Sequence, residues 1–251
     1  MAQICKIILL IGICSTLVEA QSVTWQKYYP YNQSNAITDI IQTFDGGYIM
    51  AGGISFPPAV KILLIKINYL GIKEWEKVIS DSAYNISAVS IKQASDSGYV
   101  MTGQRNDDFY ILKTDSKGNY QWRKSFNINN GDARAFDIIT SADGYILSGG
   151  IYYSSSNSSK SYVVKTDSSG NLQWQKLYGD SILTSAGRII QILKAEYFLS
   201  NITRRNLSDP YLGMIYKLNS KGGIIWKKET GINQGGIPVL YRENEGLFLA
   251  G

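Results

Sequence analysis

The chain has 251 residues, a formal net charge of +5, 44% hydrophobic residues and no histidine. The absence of histidine removes the usual general base, the commonest transition-metal ligand and every Ser-His-Asp or Cys-His constellation. Basic residues form no run longer than a pair, as at Arg204-Arg205 and Lys227-Lys228, so the sequence does not support nucleic-acid binding.

In chain order, residues 1–20 read as a cleavable signal peptide: Lys6, then an apolar run over 7–14, then Val18 and Ala20 before Gln21. The run is far short of the roughly 20 residues that span a bilayer, and a lipid anchor at Cys14 is disfavoured by Ile13 before it. Both cysteines, Cys5 and Cys14, fall in this leader, so the mature chain has neither a disulfide framework nor a thiol nucleophile. Loss of Lys6 and Glu19 with the leader leaves the charge unchanged.

From residue 21 the chain repeats. Trp25, Trp75, Trp122, Trp174 and Trp226 lie 50, 47, 52 and 52 residues apart, and the last four follow Asn68-x-x-Gly71, Asp115-x-x-Gly118, Asp167-x-x-Gly170 and Asn219-x-x-Gly222. Each unit predicts four strands. Strand a covers 38–43, 89–94, 135–140 and 187–193, and a turn with Asp45, Asp96 or Asp143 leads to strand b, opening at Tyr48, Tyr99, Tyr145 and Tyr197. Strand c is the most apolar, over 62–65, 109–112, 162–164 and 214–216, and is followed by Lys66, Lys113, Lys165 or Lys217. A continuous apolar run of this length implies cover on both faces. The Asx-x-x-Gly turn then reverses the chain, with glycine at positive φ.

Strand d carries the tryptophan and alternates polar and apolar residues, as an outer strand does. Lys27, Lys77, Lys124, Lys176 and Lys228 sit two residues after each tryptophan, on the same strand face; stems along the indoles with ammonium groups protecting an exposed edge are the expected reading, a cationic ligand site the alternative.

Four antiparallel strands in about 50 residues, without helical periodicity, predict an all-β fold: a β-propeller of four-stranded blades. A β-helix coil is shorter, and tandem sandwich domains need repeats nearer ~100 residues. The domain covers 21–251, four complete repeats and the start of a fifth. Residues 246–251 reproduce strand b, leaving two expectations: a partial propeller from a longer chain, or closure by the strand of Trp25. The indoles are expected to be buried and structural.

From Trp25 to Gly251 the chain resembles the tryptophan-containing propeller repeats of secreted and cell-surface prokaryotic proteins, most closely over residues 99–122. Asp115, Gly118, Asn119 and Trp122 also resemble the quinoprotein-type repeat and, with longer gaps, the Asp-box of sialidase-type propellers. These resemblances imply blade geometry.

The connection from tryptophan to the next strand-b aromatic position is nearly constant, 21 to 24 residues, whereas strand-b tyrosine to the next tryptophan spans 23 to 29. The difference falls in b-to-c loops at 54–60, 105–108, 152–161 and 203–211. Loops of individual chemistry on a regular scaffold are where binding is sought, so Phe56, Arg105, Asp107, Tyr152, Tyr153, Arg204 and Arg205 are the candidate binding residues. The alternative is that these loops are solvated and bind nothing. Sequons occur at Asn32, Asn85, Asn157, Asn201 and Asn206.

The loops at Asp115 and Asp167 lack the alternating carboxylates and terminal Glu of a calcium site and read as hairpin turns; Asp107 and Asp108 alone are too few ligands. Arg105, Arg123, Arg134, Arg188, Arg204, Arg205 and Arg242 share no repeat position, as a sialidase cluster would need. The mature chain lacks the cysteine pair common in quinoprotein dehydrogenases. No metal, cofactor or catalytic residue is expected. The function expected is a secreted, non-catalytic scaffold presenting loops to an extracellular protein or glycan, with further blades or domains of a longer chain as possible partners. The alternative is a fragment of a propeller enzyme, quinoprotein-like or glycan-processing, whose catalytic residues lie in other blades.

Overall fold

The computed structural model describes residues 29, 33–81, 84–128, 131–179, 183–193, 196–206, 208–230, 239–243 and 246–250. The leader, Trp25, Lys27 and Asn32 lie outside them. Among the described residues the fold is all-β, with one 3-10 turn at Ser154–Ser156.

The first unit holds β1 (Asn35–Gln42), β2 (Tyr48–Phe56), β3 (Ala59–Ile67) and β4 (Lys73–Ile79), paired antiparallel in that order. The second repeats the order with β5 (Ile86–Gln93), β6 (Tyr99–Arg105), β7 (Asp108–Thr114) and β8 (Tyr120–Phe126). The third contains β9 (Asp132–Ser141), β10 (Gly144–Tyr153), β11 (Ser158–Asp167) and β12 (Leu172–Tyr178). The fourth contains β13 (Leu183–Leu193), β14 (Glu196–Arg204), β15 (Leu212–Leu218) and β16 (Ile224–Glu229). A single parallel bridge, Ser159 to Leu183, joins the third and fourth sheets. β17 (Val239–Glu243) and β18 (Gly246–Ala250) form a further hairpin.

Successive sheets pack face to face, and alternation along the third strand explains its apolar run. In β7, Tyr110 and Leu112 join Ile49, Ala51, Ile62 and Leu64 of the first sheet. Phe109 and Ile111 point the other way, to Ile138, Leu147, Tyr162 and Val164 of the third. One strand thus fills two interfaces because its side chains alternate. The third and fourth sheets share Ile146, Val163, Ile189, Leu199 and Tyr216 in the same manner.

The lysine closing each third strand finds the aspartate of the first turn in its own unit. Lys66 reaches Asp45 at 2.9 Å, Lys113 reaches Asp96 at 2.7 Å and Lys165 reaches Asp143 at 2.6 Å, while Lys217 takes Glu196 at 2.8 Å. The first three lysines are almost fully buried. The Thr43 hydroxyl, with help from Lys66 and the Gly47 N–H, holds the Asp45 carboxyl down at about 2 against the opposing effect of burial. Asp96 and Asp143 are also lowered by their lysines. A carboxylate with a depressed folded pKa stabilises the fold above its unfolded value and loses that contribution as pH falls. The urea midpoint should therefore drop between about pH 4 and pH 2, and Asp45→Asn should flatten that profile; an unchanged profile would remove Asp45 from the account.

Each Asx-x-x-Gly turn closes as anticipated: Asn68, Asp115, Asp167 and Asn219 accept two backbone N–H groups apiece through Oδ1. Gly71, Gly118, Gly170 and Gly222 have φ of +72°, +75°, +77° and +70°. Their second role is contact with the preceding unit. A Cβ at Gly118 would lie 2.7 Å from Trp75 Cζ3, one at Gly170 2.5 Å from Trp122 Cζ3, and one at Gly222 2.9 Å from Trp174 Cη2. Lys77 and Lys124 lie beside the first two indoles, with Cγ 3.0 and 3.1 Å from the same points. Trp174 also donates from Nε1 to the Ser220 carbonyl at 3.1 Å. Tyr178 donates to the Gly222 carbonyl at 2.7 Å, as Tyr29 does to Gly71 at 2.9 Å.

Two expectations need correction. The indoles are not interior: Trp75, Trp122 and Trp174 are half-buried and Trp226 is 39% exposed. The first three work as edges seated on the next unit's glycine. The b-to-c segments are mostly ladder rather than loop. β2 and β3 pair out to Phe56 and Ala59, β6 and β7 to Arg105 and Asp108, and β10 and β11 to Tyr153 and Ser158. Polar composition had masked strand extensions, so variation among the first three units is in hairpin length.

Candidate functional site

The first strands carry β-bulges at equivalent places, between Ile37 and Asp39, Ala88 and Ser90, Ala135 and Asp137, and Ala186 and Ile189. A bulge leaves a residue without a ladder partner and re-aims its side chain. In β9 that residue is Phe136, which is 37% exposed. Tyr152 of β10, opposite Asp132 in the ladder, is 40% exposed. Gly150, opposite Arg134, leaves the floor between them without a side chain.

With Ser159 of β11 these residues line a groove of about 230 Å³. Arg134 grips Asp132 in a fork, Nε to Oδ1 at 3.3 Å and NH2 to Oδ2 at 3.0 Å. The Tyr152 hydroxyl donates to Asn157 Oδ1 at 3.0 Å, and Asn157 takes a left-handed conformation at the hairpin tip. Two exposed rings beside a planar polar pair offer stacking surfaces with hydrogen-bonding groups at their rim. The one carboxylate in the groove is engaged by a guanidinium, so the arrangement suits binding rather than proton transfer.

The candidate binding residues do not gather into one site. Phe56 lies under the Lys61 ammonium, 4.7 Å from its ring centroid. Arg105 donates to Asp81 at 2.9 Å and stacks on Tyr84 with 3.6 Å to the ring centroid. The Asp107 carbonyl accepts from Ala133 N–H and the Asn127 amide, tying the second unit to the third, and Asp107 lines a cleft of about 490 Å³ with Val60, Asn85 and Gln104. Tyr153 turns inward from Tyr152 and packs on the core. Arg204 lies over Tyr211, 5.0 Å from its ring centroid, and Arg205 is exposed. Of the seven, only Tyr152 enters the groove. Asp132, Arg134 and Phe136 had no signal as a group; Phe136 depends on a bulge that periodicity does not reveal.

A second polar cluster follows the same bulges. Asp39 Oδ2 accepts from Ile91 N–H at 2.9 Å, and Asp137 Oδ2 from Ile189 N–H at 3.1 Å. The Ser90 hydroxyl lies 3.2 Å from both carboxylates, and Lys92 Nζ is 3.7 Å from Asp39 and 4.0 Å from Asp137. Burial pushes the Asp137 carboxyl up, against Lys92 and the Ile189 N–H. This chain ties the first strands of four units together, and its acceptors are occupied. Among the described residues no group of three or more His, Cys, Asp or Glu is placed to hold a metal ion, and no helix is long and apolar enough to cross a membrane. Of the described sequons, Asn85, Asn157 and Asn206 are exposed, whereas Asn201 is fully buried and accepts from the Ser161 hydroxyl.

No family model matches the chain, and no curated protein matches it in sequence. Among solved structures, a protein of unknown function from Bacteroides caccae is similar with a TM-score of 0.36 and 11% identity, covering 83% of this chain and 87% of that one. A likeness of that degree carries no functional argument.

Proposed function

We propose that this chain is a secreted, non-catalytic β-propeller scaffold that binds glycan at the groove of its third unit. The propeller reading rests on four-stranded sheets recurring every 47 to 52 residues and packing face to face in sequence order. Secretion rests on the leader-like composition of residues 1–20. The binding reading rests on one observation, the exposed pair Phe136 and Tyr152 beside the Arg134–Asp132 fork. Saccharide rings present C–H faces to aromatic side chains and hydroxyls to planar polar groups, which this groove supplies in about the space of a small ligand.

The test is a neutral-glycan array followed by titration of the best ligand. Tyr152→Ala and Phe136→Ala should each weaken binding about tenfold, equivalent to 1.4 kcal/mol. Both side chains are partly solvated, so thermal stability should change little. Unimpaired binding by both variants, or no neutral glycan bound by the parent, would remove the groove from the account.

A further inference from the structure

We propose that the cleft between the first and second sheets is a separate recognition site for a carboxylate-bearing saccharide. It measures about 530 Å³ and is lined by Lys77, Val78 and Asp81 on one side and Asn119, Tyr120 and Arg123 on the other. At its base two guanidiniums share one carboxylate oxygen: Asp81 Oδ2 lies 2.9 Å from Arg105 Nε and 2.5 Å from Arg123 NH1. The cluster therefore carries one positive charge in excess before Lys77 is counted.

The two arginines differ in their freedom. Arg105 is fixed on the Tyr84 ring and its side chain is 15% exposed. Arg123 is 25% exposed and lines the cleft, meeting Asp81 through NH1. A fork-shaped guanidinium at the wall of a partly desolvated cleft selects a planar oxyanion. Lys77 forms no ion pair among the described residues and adds a second cation at the wall. Tyr120, 55% exposed, provides a face for the ring that bears the carboxylate. The site shares no residue with the aromatic groove and does not depend on it.

The probe is a short oligogalacturonate, titrated calorimetrically at low and moderate salt beside its methyl ester, which keeps the rings and removes the charge. The acid should bind, weaken as salt rises, and exceed the ester by at least about tenfold, which is 1.4 kcal/mol. Lys77→Met, which keeps the stem beside Trp75, and Tyr120→Ala, both at exposed positions, should each reduce affinity about fivefold or more with unchanged melting. Arg123→Lys, which keeps the charge but loses the fork, should also bind poorly. Equal binding of acid and ester, no binding of the acid, or full affinity in the Lys77 and Tyr120 variants would overturn the proposal. Neutral-glycan binding at the groove would be untouched by that result.

Discussion

Gly118→Ala should destabilise the protein by about 3 kcal/mol, while Gly46→Ala should cost only about 1 kcal/mol. Both glycines have positive φ, +75° and +80°, so the backbone strain added by a side chain is nearly the same. They differ in what the new methyl group meets. At Gly46 nothing lies within 4 Å; at Gly118 it would meet Trp75 Cζ3 and Cη2 at 2.7 and 2.8 Å and Lys77 Cγ at 3.0 Å. Relief requires the indole to leave its seat, which loosens the contact between the first and second sheets. Urea denaturation of the two variants separates local strain from inter-sheet contact, and equal losses would show that the indole yields without cost.

The second large effect concerns the buried lysines. Asp96→Ala should cost about 2 to 3 kcal/mol, because Lys113 would keep its charge while losing its counter-ion. The ammonium touches both Asp96 oxygens, at 2.9 and 2.7 Å, the Thr114 carbonyl at 2.9 Å and Gln121 Oε1 at 3.3 Å, and the lysine is 2% exposed. Asp96 itself is half in solvent, so water reaches part of the pair and the loss falls below the roughly 3 to 5 kcal/mol usual for a fully buried one. Lys113→Met removes the charge and keeps the stem, leaves Asp96 able to hydrate, and should cost less than half as much. The comparison is made by chemical denaturation at neutral pH; a costlier Lys113→Met would mean that the ion pair itself stabilises the hairpin.

Much of this architecture is legible in the sequence because each unit repeats its own grammar. The Asp115-to-Gly118 turn, the Tyr99 strand and the doubly covered run ending at Lys113 could be placed from periodicity and turn chemistry alone. The contacts between units could not. Whether Trp75 meets Gly118 is decided by how sheets stack, and no local pattern encodes which turn lies over which indole. Lys113 and Asp96 recur together in the chain, but only the ladder register brings them within 2.7 Å. The hairpin tips misled for a compositional reason: Ser158, Ser159 and Lys160 are polar yet lie in a regular ladder with Ile151, Tyr152 and Tyr153. Phe136 entered the groove unheralded, since a bulge shifts the two-residue alternation on which face assignments depend. Arg105, a candidate by its position in the chain, is engaged by Asp81 and Tyr84.

Indole edges seated on the glycine turns of the following unit hold successive sheets together, and a double-mutant cycle on Trp122 and Gly170 tests this most directly. Gly170→Ala in the parent should cost about 3 kcal/mol; in the Trp122→Ala background, where the ring that crowds the new methyl is gone, it should cost about 1 kcal/mol, leaving a coupling near 2 kcal/mol. Additive losses, with a coupling below about 0.5 kcal/mol, would contradict the seat and with it the proposed way in which these sheets are held together.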